Sequence, residues 1–192
     1  MIAAIVLTAG KSERMGGSPK ALLQFRGRTF LEHVLAAIEG AGIHSTVVVV
    51  GHHRQEIASA LQLPSLVFNP RYPQGMSTSV QAGIRALTEG VVGAGIFLVD
   101  QPLIDSETIA ALAAQLRPGR IVLPVHEGRR GHPVFLAADL FGEILDLRPN
   151  QGLNTVVRRD HRRVTEVQVA HEGVLRDVDT PEEFENLLQE NG

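Results

Sequence analysis

Cysteine is absent from the 192 residues. Disulfides, thiolate-held zinc and iron–sulfur clusters are therefore excluded. The composition fits a reducing compartment, and the cytoplasm is the expected location. A basic excess is also missing, since the formal net charge is −3; the electrostatic footprint of a nucleic-acid binder is not there. The nearest basic cluster, Arg158, Arg159, Arg162 and Arg163, is interrupted by Asp160 and His161 and reads as a solvated helix end. No apolar stretch approaches the roughly 20 residues of a membrane span. The apolar run Ile2–Leu7 has no basic segment before it and leads into a glycine loop, so a buried first strand is expected rather than a signal peptide. The eight histidines show no HExxH or other metal spacing. Repeats, low-complexity segments and long linkers are missing too.

What is present is an ordinary globular mixture, 44% hydrophobic and 20% charged. The length suits one domain over residues 1–192 with a substantial core. Strand-like and helix-like segments alternate, which predicts an α/β fold with a mainly parallel, twisted sheet flanked by helices. Strands are expected at Ile2–Leu7, Thr46–Val50, Leu66–Phe68, Gly95–Val99, Ile121–Leu123, Val164–Val169 and Val174–Val178. Helices are expected from the capping box Thr29–Glu32 to about Ala41, then at Gln55–Leu61, Met76–Leu87, Ser106–Leu116, Phe141–Leu147 and Leu153–Arg159. A last helix starts at Thr180-Pro181-Glu182-Glu183, with an N-cap, a first-turn proline and a capping glutamate. Glu127–Pro133 reads as a charged turn.

Five constellations carry possible chemistry. The first strand ends at Leu7-Thr8 and delivers the chain to Ala9-Gly10, where small residues let backbone N–H groups approach a phosphate or a base edge. Arg14 and Lys20 follow, a fork and a point charge suited to a polyphosphate. The spacing matches neither GxGxxG nor the P-loop, which disfavours an ordinary dinucleotide fold and a P-loop NTPase. Asp100-Gln101-Pro102 closes a buried strand; a carboxylate there can hold Mg²⁺ against phosphates, or simply begin a turn. Asp179, before the last helix, is either a second metal carboxylate or a partner of the helix dipole. Asn69-Pro70 with Gly75–Ser79 offers a polar, close-approach surface for a base or ribose, part of which N-capping by Ser77 would explain. Arg129-Arg130-Gly131-His132-Pro133 could meet an anionic second substrate or be a solvated loop, and His52-His53 reads as a rim feature.

Taken in order, Leu7–Lys20, Asn69–Ser79, Asp100–Pro102, Gly131–Pro133 and Asp177–Glu183 resemble the motif series of the MobA-like nucleotidyltransferases, over almost the full chain. No single block is specific; the combination is. The resemblance implies a Rossmann-like nucleotide-diphospho-sugar transferase fold and transfer of an NMP from an NTP to a phosphorylated acceptor, with Mg²⁺ as cofactor. In that family the acceptor is typically the terminal phosphate of molybdopterin, with a molybdoenzyme or its chaperone as a further partner. By likeness, Arg14 and Lys20 bind the triphosphate, and Asp100 and Asp179 hold the metal. Leu7, Thr8, Ala9, Gly10, Gly75 and Ser79 line the nucleotide, and Gln101, Arg129 and His132 face the acceptor. Within the family the chain is similar to the molybdenum-cofactor cytidylyltransferase branch. Ala9 in place of a glycine narrows the base pocket and favours CTP over GTP. Where the family has an acidic Gly-Asp motif, this chain reads Asn150-Gln151-Gly152, a change at the acceptor side. Two other expectations are compatible: a sugar- or polyol-phosphate acceptor, and a non-catalytic nucleotide- or cofactor-binding chaperone.

Overall fold

The computed structural model describes residues 1–62, 65–149 and 151–190. The chain runs β1 (Ile2–Thr8), a hairpin of β2 (Gln24–Phe25) and β3 (Arg28–Thr29), α1 (Phe30–Gly40), β4 (Ser45–Val50), α2 (Arg54–Ala60) and β5 (Leu66–Phe68). It continues through α3 (Met76–Arg85), β6 (Gly93–Leu98), α4 (Ser106–Ala114), β7 (Ile121–His126), β8 (Arg129–Arg130) and β9 (Val134–Ala137). The last part holds α5 (Phe141–Leu145), α6 (Asn154–Arg159), β10 (Val164–Gln168) and α7 (Pro181–Glu190).

The main sheet has the order β10-β7-β9-β6-β1-β4-β5, with β8 paired to β7. Every neighbouring pair along that path is parallel except the two made by β9, which runs antiparallel between β6 and β7. Side chains alternate across β1: Ala4 and Val6 join a core layer with Phe30, Leu31, Ile109 and Leu112, whereas Ile5 and Leu7 join the layer with Val80, Ile84, Leu136 and Val156. A strand covered on both faces reads as a continuous apolar run, which is why the sequence of β1 lacks polar alternation. Helix α3 lies very close to the sheet. A Cβ at Gly83 would fall 2.4 Å from Ile5 Cγ2, so only glycine permits that approach.

Helix boundaries follow their caps. The Thr29 side chain accepts from the Glu32 backbone N–H while Glu32 accepts from the Thr29 N–H, the capping box expected there. Thr180 and Glu183 make the same exchange at α7. Such contacts hold Glu32 and Glu183 below the ordinary carboxylate range, chiefly through the backbone N–H bonds of Thr29 and Asp179 respectively.

One expected strand is absent, and two features go beyond the sequence pattern. β9 was not anticipated; Val134–Ala137 is short, and its pairing is set by β6 and β7 rather than by a pattern of its own. Glu127–Pro133 is a hairpin turn that carries β8. Val174–Val178 is not a strand. Val174 and Val178 are buried, but Val174 ends a 3₁₀ turn and the Val178 N–H donates to the Asp100 carbonyl at 2.8 Å, so the segment docks on the sheet's end without a ladder. The basic cluster near α6 is surface structure as expected. Arg159 and Arg163 pair with Glu143, and Arg162 with Asp160. Among the described residues no helix is long and apolar enough to cross a membrane.

Candidate active site

From β1 the chain builds outward through β4 and β5, then returns to place β6 on the other side of β1. Such a reversal leaves a crevice beyond the carboxyl ends of the strands, where open α/β sheets bind ligands. A cleft of about 690 Å³ lies there, large enough for a nucleotide. Leu7, Thr8, Ala9, Gly10, Arg14, Lys20, Gly75, Ser79, Asp100 and Asp179 all line it. These are the residues predicted for nucleotide and metal.

The loop after β1 is shaped by its backbone. Ser12, Gly16 and Gly17 have φ of 53°, 65° and 83°, the left-handed region that glycine tolerates best. The Ser12 carbonyl accepts from the Met15 and Gly17 N–H groups, which folds the loop into a tight turn carrying Arg14. Pro19 then sets up a second turn that starts at Lys20, whose own N–H donates to Ser12 Oγ at 3.3 Å.

These turns bring two cations against two carboxylates from distant parts of the chain. Lys20 Nζ donates to Asp100 Oδ2 at 3.3 Å and also pairs with Asp179 Oδ1. Arg14 Nη2 donates to Asp179 Oδ2 at 2.6 Å. Exposure separates the two cations: the Arg14 side chain is 66% exposed and that of Lys20 12%. An exposed pair contributes only about 0–1 kcal/mol, so Arg14 is held weakly. Lys20 sits deeper, as the internal counter-charge of both carboxylates.

Burial raises the Asp100 carboxyl above its ordinary range. Lys20 opposes the shift without cancelling it, and the negative charges of Asp177 and Asp179 add to it. Asp179 goes the other way: burial alone would raise it, but Lys20 and then Arg14 outweigh that and hold it down. Asp100 Oδ1 is buried without a hydrogen-bond partner. A buried carboxylate oxygen without a donor is costly unless a ligand satisfies it. Hard oxygen donors of this kind suit Mg²⁺. Among the described residues no group of three or more His, Asp or Glu could hold a metal ion by itself. Two carboxylates are what a Mg²⁺ site needs when substrate phosphates and water complete the shell.

The opposite wall comes from Tyr72–Gly75 and the start of α3. The N-cap of α3 is Gly75, at φ 113°, not Ser77, which is buried inside the first turn. Asn69 Nδ2 donates to Thr78 Oγ1 and Ser79 Oγ, both at 2.9 Å, and so fixes the face of α3 that meets the cleft.

The residues expected at the acceptor are not on the cleft wall. Gln101 is 4% exposed and its amide donates to Asp177 Oδ1 at 2.7 Å and to the Val174 carbonyl, tying down the segment before Asp179. Arg129 is exposed on β8. Burial lowers His132, with Asp177 opposing, and its backbone N–H is held by the Val174 carbonyl after which a cis peptide leads to Pro133. Asn150 of the departing acidic motif lies outside the described residues. In contrast, His53 lines the cleft and is 4% exposed, far from the rim position expected. Two adjacent histidines after a strand carry no metal or catalytic spacing that would reveal this.

A family model described as the MobA-like NTP transferase domain matches residues 4–164. Over 97% of this chain and 96% of its own length, the nicotine blue oxidoreductase of Paenarthrobacter nicotinovorans is 31% identical. The bifunctional protein GlmU of Xanthobacter autotrophicus is 38% identical over 62% of the chain, which spans only 27% of GlmU. Among solved structures, Rv0371c from Mycobacterium tuberculosis H37Rv superposes with a TM-score of 0.88 at 26% identity, covering 98% of this chain and 97% of that one.

Proposed function

The chain belongs to the MobA-like NTP transferase family, and from that premise we propose that it transfers a nucleoside monophosphate, CMP in preference, from an NTP to a phosphorylated acceptor of the molybdopterin type. The observation that carries this reading is the Arg14–Lys20–Asp100–Asp179 cluster at the mouth of the cleft. Arg14 and Lys20 supply positive charge to a triphosphate. Asp100 and Asp179 are the residues that would hold Mg²⁺, which when bound neutralises phosphate charge and favours the leaving pyrophosphate.

The acceptor phosphate is already a nucleophile at neutral pH, so no general base is required. Its oxygen forms a bond to the α-phosphorus while the α–β bridging bond breaks, and the electron pair leaves with pyrophosphate. The barrier is the approach of two anions, so positioning and cationic stabilisation dominate. Ala9 is 6% exposed on the cleft wall. Its methyl group narrows the space beside the base, which favours a pyrimidine.

The test is product identification by mass spectrometry with CTP or GTP, Mg²⁺ and a panel of acceptors. A cytidylylated pterin is expected, with Ala9→Gly shifting the CTP:GTP ratio toward GTP. Transfer only to a sugar or polyol phosphate would replace the acceptor and keep the chemistry. A second reading comes from the oxidoreductase that is similar over nearly the whole chain: the same cleft would hold a nicotinamide nucleotide as hydride donor. The loop after β1 lacks the dinucleotide spacing, and hydride transfer needs no carboxylate pair beside two cations. Nucleotidyl transfer is therefore the reading the site supports better.

A further inference from the structure

The carboxyl end of β4 continues as Gly51-His52-His53, and each of these residues touches a wall of the cleft. Gly51 stands between Ala9 and Tyr72, one residue from each wall. A Cβ there would fall 2.5 Å from the Ala9 carbonyl oxygen and 2.7 Å from Tyr72 Cγ, so any side chain would push the walls apart. His53 Nε2 lies 3.2 Å from the Lys11 carbonyl. That oxygen can only accept, so the contact ties His53 to the glycine loop through an Nε2–H donor. Its other nitrogen, Nδ1, lies 3.1 Å from Glu56 Oε1, a second acceptor on the α2 side, so a neutral ring donates to one of the two oxygens at a time. His52 reaches the opposite wall, with Nδ1 3.2 Å from the Tyr72 hydroxyl. The two imidazoles meet edge to face at 4.7 Å, joining the two contacts.

We infer that Gly51-His52-His53 is a clasp that sets the width of the nucleotide cleft, with His53 the positioning residue for the glycine loop. The inference rests on the nucleotide reading of the cleft. It assigns a role to a buried polar side chain that the phosphate chemistry does not use. His53 need not touch the nucleotide. It holds the Lys11 carbonyl, and through it the Ala9–Ser12 backbone, at the distance from Tyr72 that a base and ribose require. Loss of its hydrogen bond should loosen nucleotide binding and leave the bond-making step, carried by Lys20 and Asp100, nearly untouched.

Calorimetric titration of the full chain with CTP and Mg²⁺, alongside steady-state kinetics, tests this. His53→Leu fills the same space without a donor, and His53→Gln carries an amide that can reach the Lys11 carbonyl. The expected result is a roughly tenfold rise in Kd and KM for CTP in His53→Leu, an unchanged kcat, and recovery to within about threefold of wild type in His53→Gln. Should His53→Leu fail to fold, His53→Asn, whose shorter amide stops before Lys11, takes its place beside His53→Gln. Wild-type affinity in the Leu or Asn variant would overturn the clasp, and so would equal weakening in the Gln variant, since the hydrogen bond would then not be what matters. A fall in kcat and thermal midpoint with unchanged Kd would make His53 merely structural and also overturn it. A wild-type chain that binds no NTP overturns the nucleotide reading itself, a result recognisable before any variant is made.

Discussion

Lys20→Ala is expected to lower nucleotidyl transfer by about 10²–10³-fold, the usual cost of removing one preorganised charge at a developing anion, while the protein remains folded. The reason lies in the position of Nζ, between Asp100 and Asp179 and mostly shielded from water. Lys20 Nζ contacts the same two carboxylates that would hold a divalent cation. If a triphosphate takes Lys20 and Arg14 as its partners, both carboxylates are released, and nucleotide and metal should then bind with positive coupling. Removing Lys20 abolishes that exchange. Lys20→Ala should therefore bind Mn²⁺ more tightly than wild type without nucleotide, yet gain less from adding CTP. Both are measurable by titration calorimetry. Lys20→Arg should not restore activity, because a planar fork does not reproduce a compact ammonium held between two carboxylates. A Lys20→Ala enzyme with near-wild-type rates would remove Lys20 from the mechanism.

Asp100→Asn should lose activity by about 10²–10³-fold, in line with the several kcal/mol a bound cation contributes to transition-state stabilisation. Its stability should move in the opposite direction. Burial raises the Asp100 carboxyl despite Lys20. An acid raised in the folded state contributes stability below its unfolded pKa and loses it as pH rises through its folded pKa. At neutral pH the ionised carboxylate therefore opposes folding, and asparagine removes that charge while Lys20 keeps Asp179 as its partner. The thermal midpoint of Asp100→Asn should equal or exceed that of wild type at neutral pH. The difference should shrink in acid, where wild-type Asp100 takes up its proton. A loss of activity accompanied by a lower midpoint at neutral pH would point instead to a structural carboxylate. Opposed changes in activity and stability are what a functional site with a strained charge produces.

Much of this site was legible because its chemistry is carried by dense local motifs at strand ends. Ala9-Gly10, Arg14, Lys20, Asp100 and Asp179 stand out by charge and backbone access, and the fold brings them onto one cleft. The parallel strands were legible for a related reason: burial on both faces leaves continuous apolar runs such as Thr46–Val50. The errors share a different cause. β9 is held in place by its neighbours, so its own four residues carry little signal. Val174 and Val178 are buried like strand residues, but the backbone between them is satisfied by turns and by Asp100. The family resemblance puts Gln101 toward the acceptor; its amide instead ties Val174 and Asp177. His53 follows a strand end and so reads as a rim residue; the contact that buries it is with Lys11, far away in sequence.

Pyrophosphate release tests the central claim most directly. The purified chain is supplied with Mg²⁺ and each of CTP, GTP, ATP and UTP, with and without molybdenum-loaded molybdopterin, while the absorbance of added reduced nicotinamide nucleotide is followed in a parallel reaction. The expected result is release that requires a phosphorylated acceptor, is fastest with CTP, and falls by about 10²–10³-fold in Lys20→Ala and Asp100→Asn. Oxidation of the reduced nicotinamide nucleotide without pyrophosphate release under any of these conditions would contradict it.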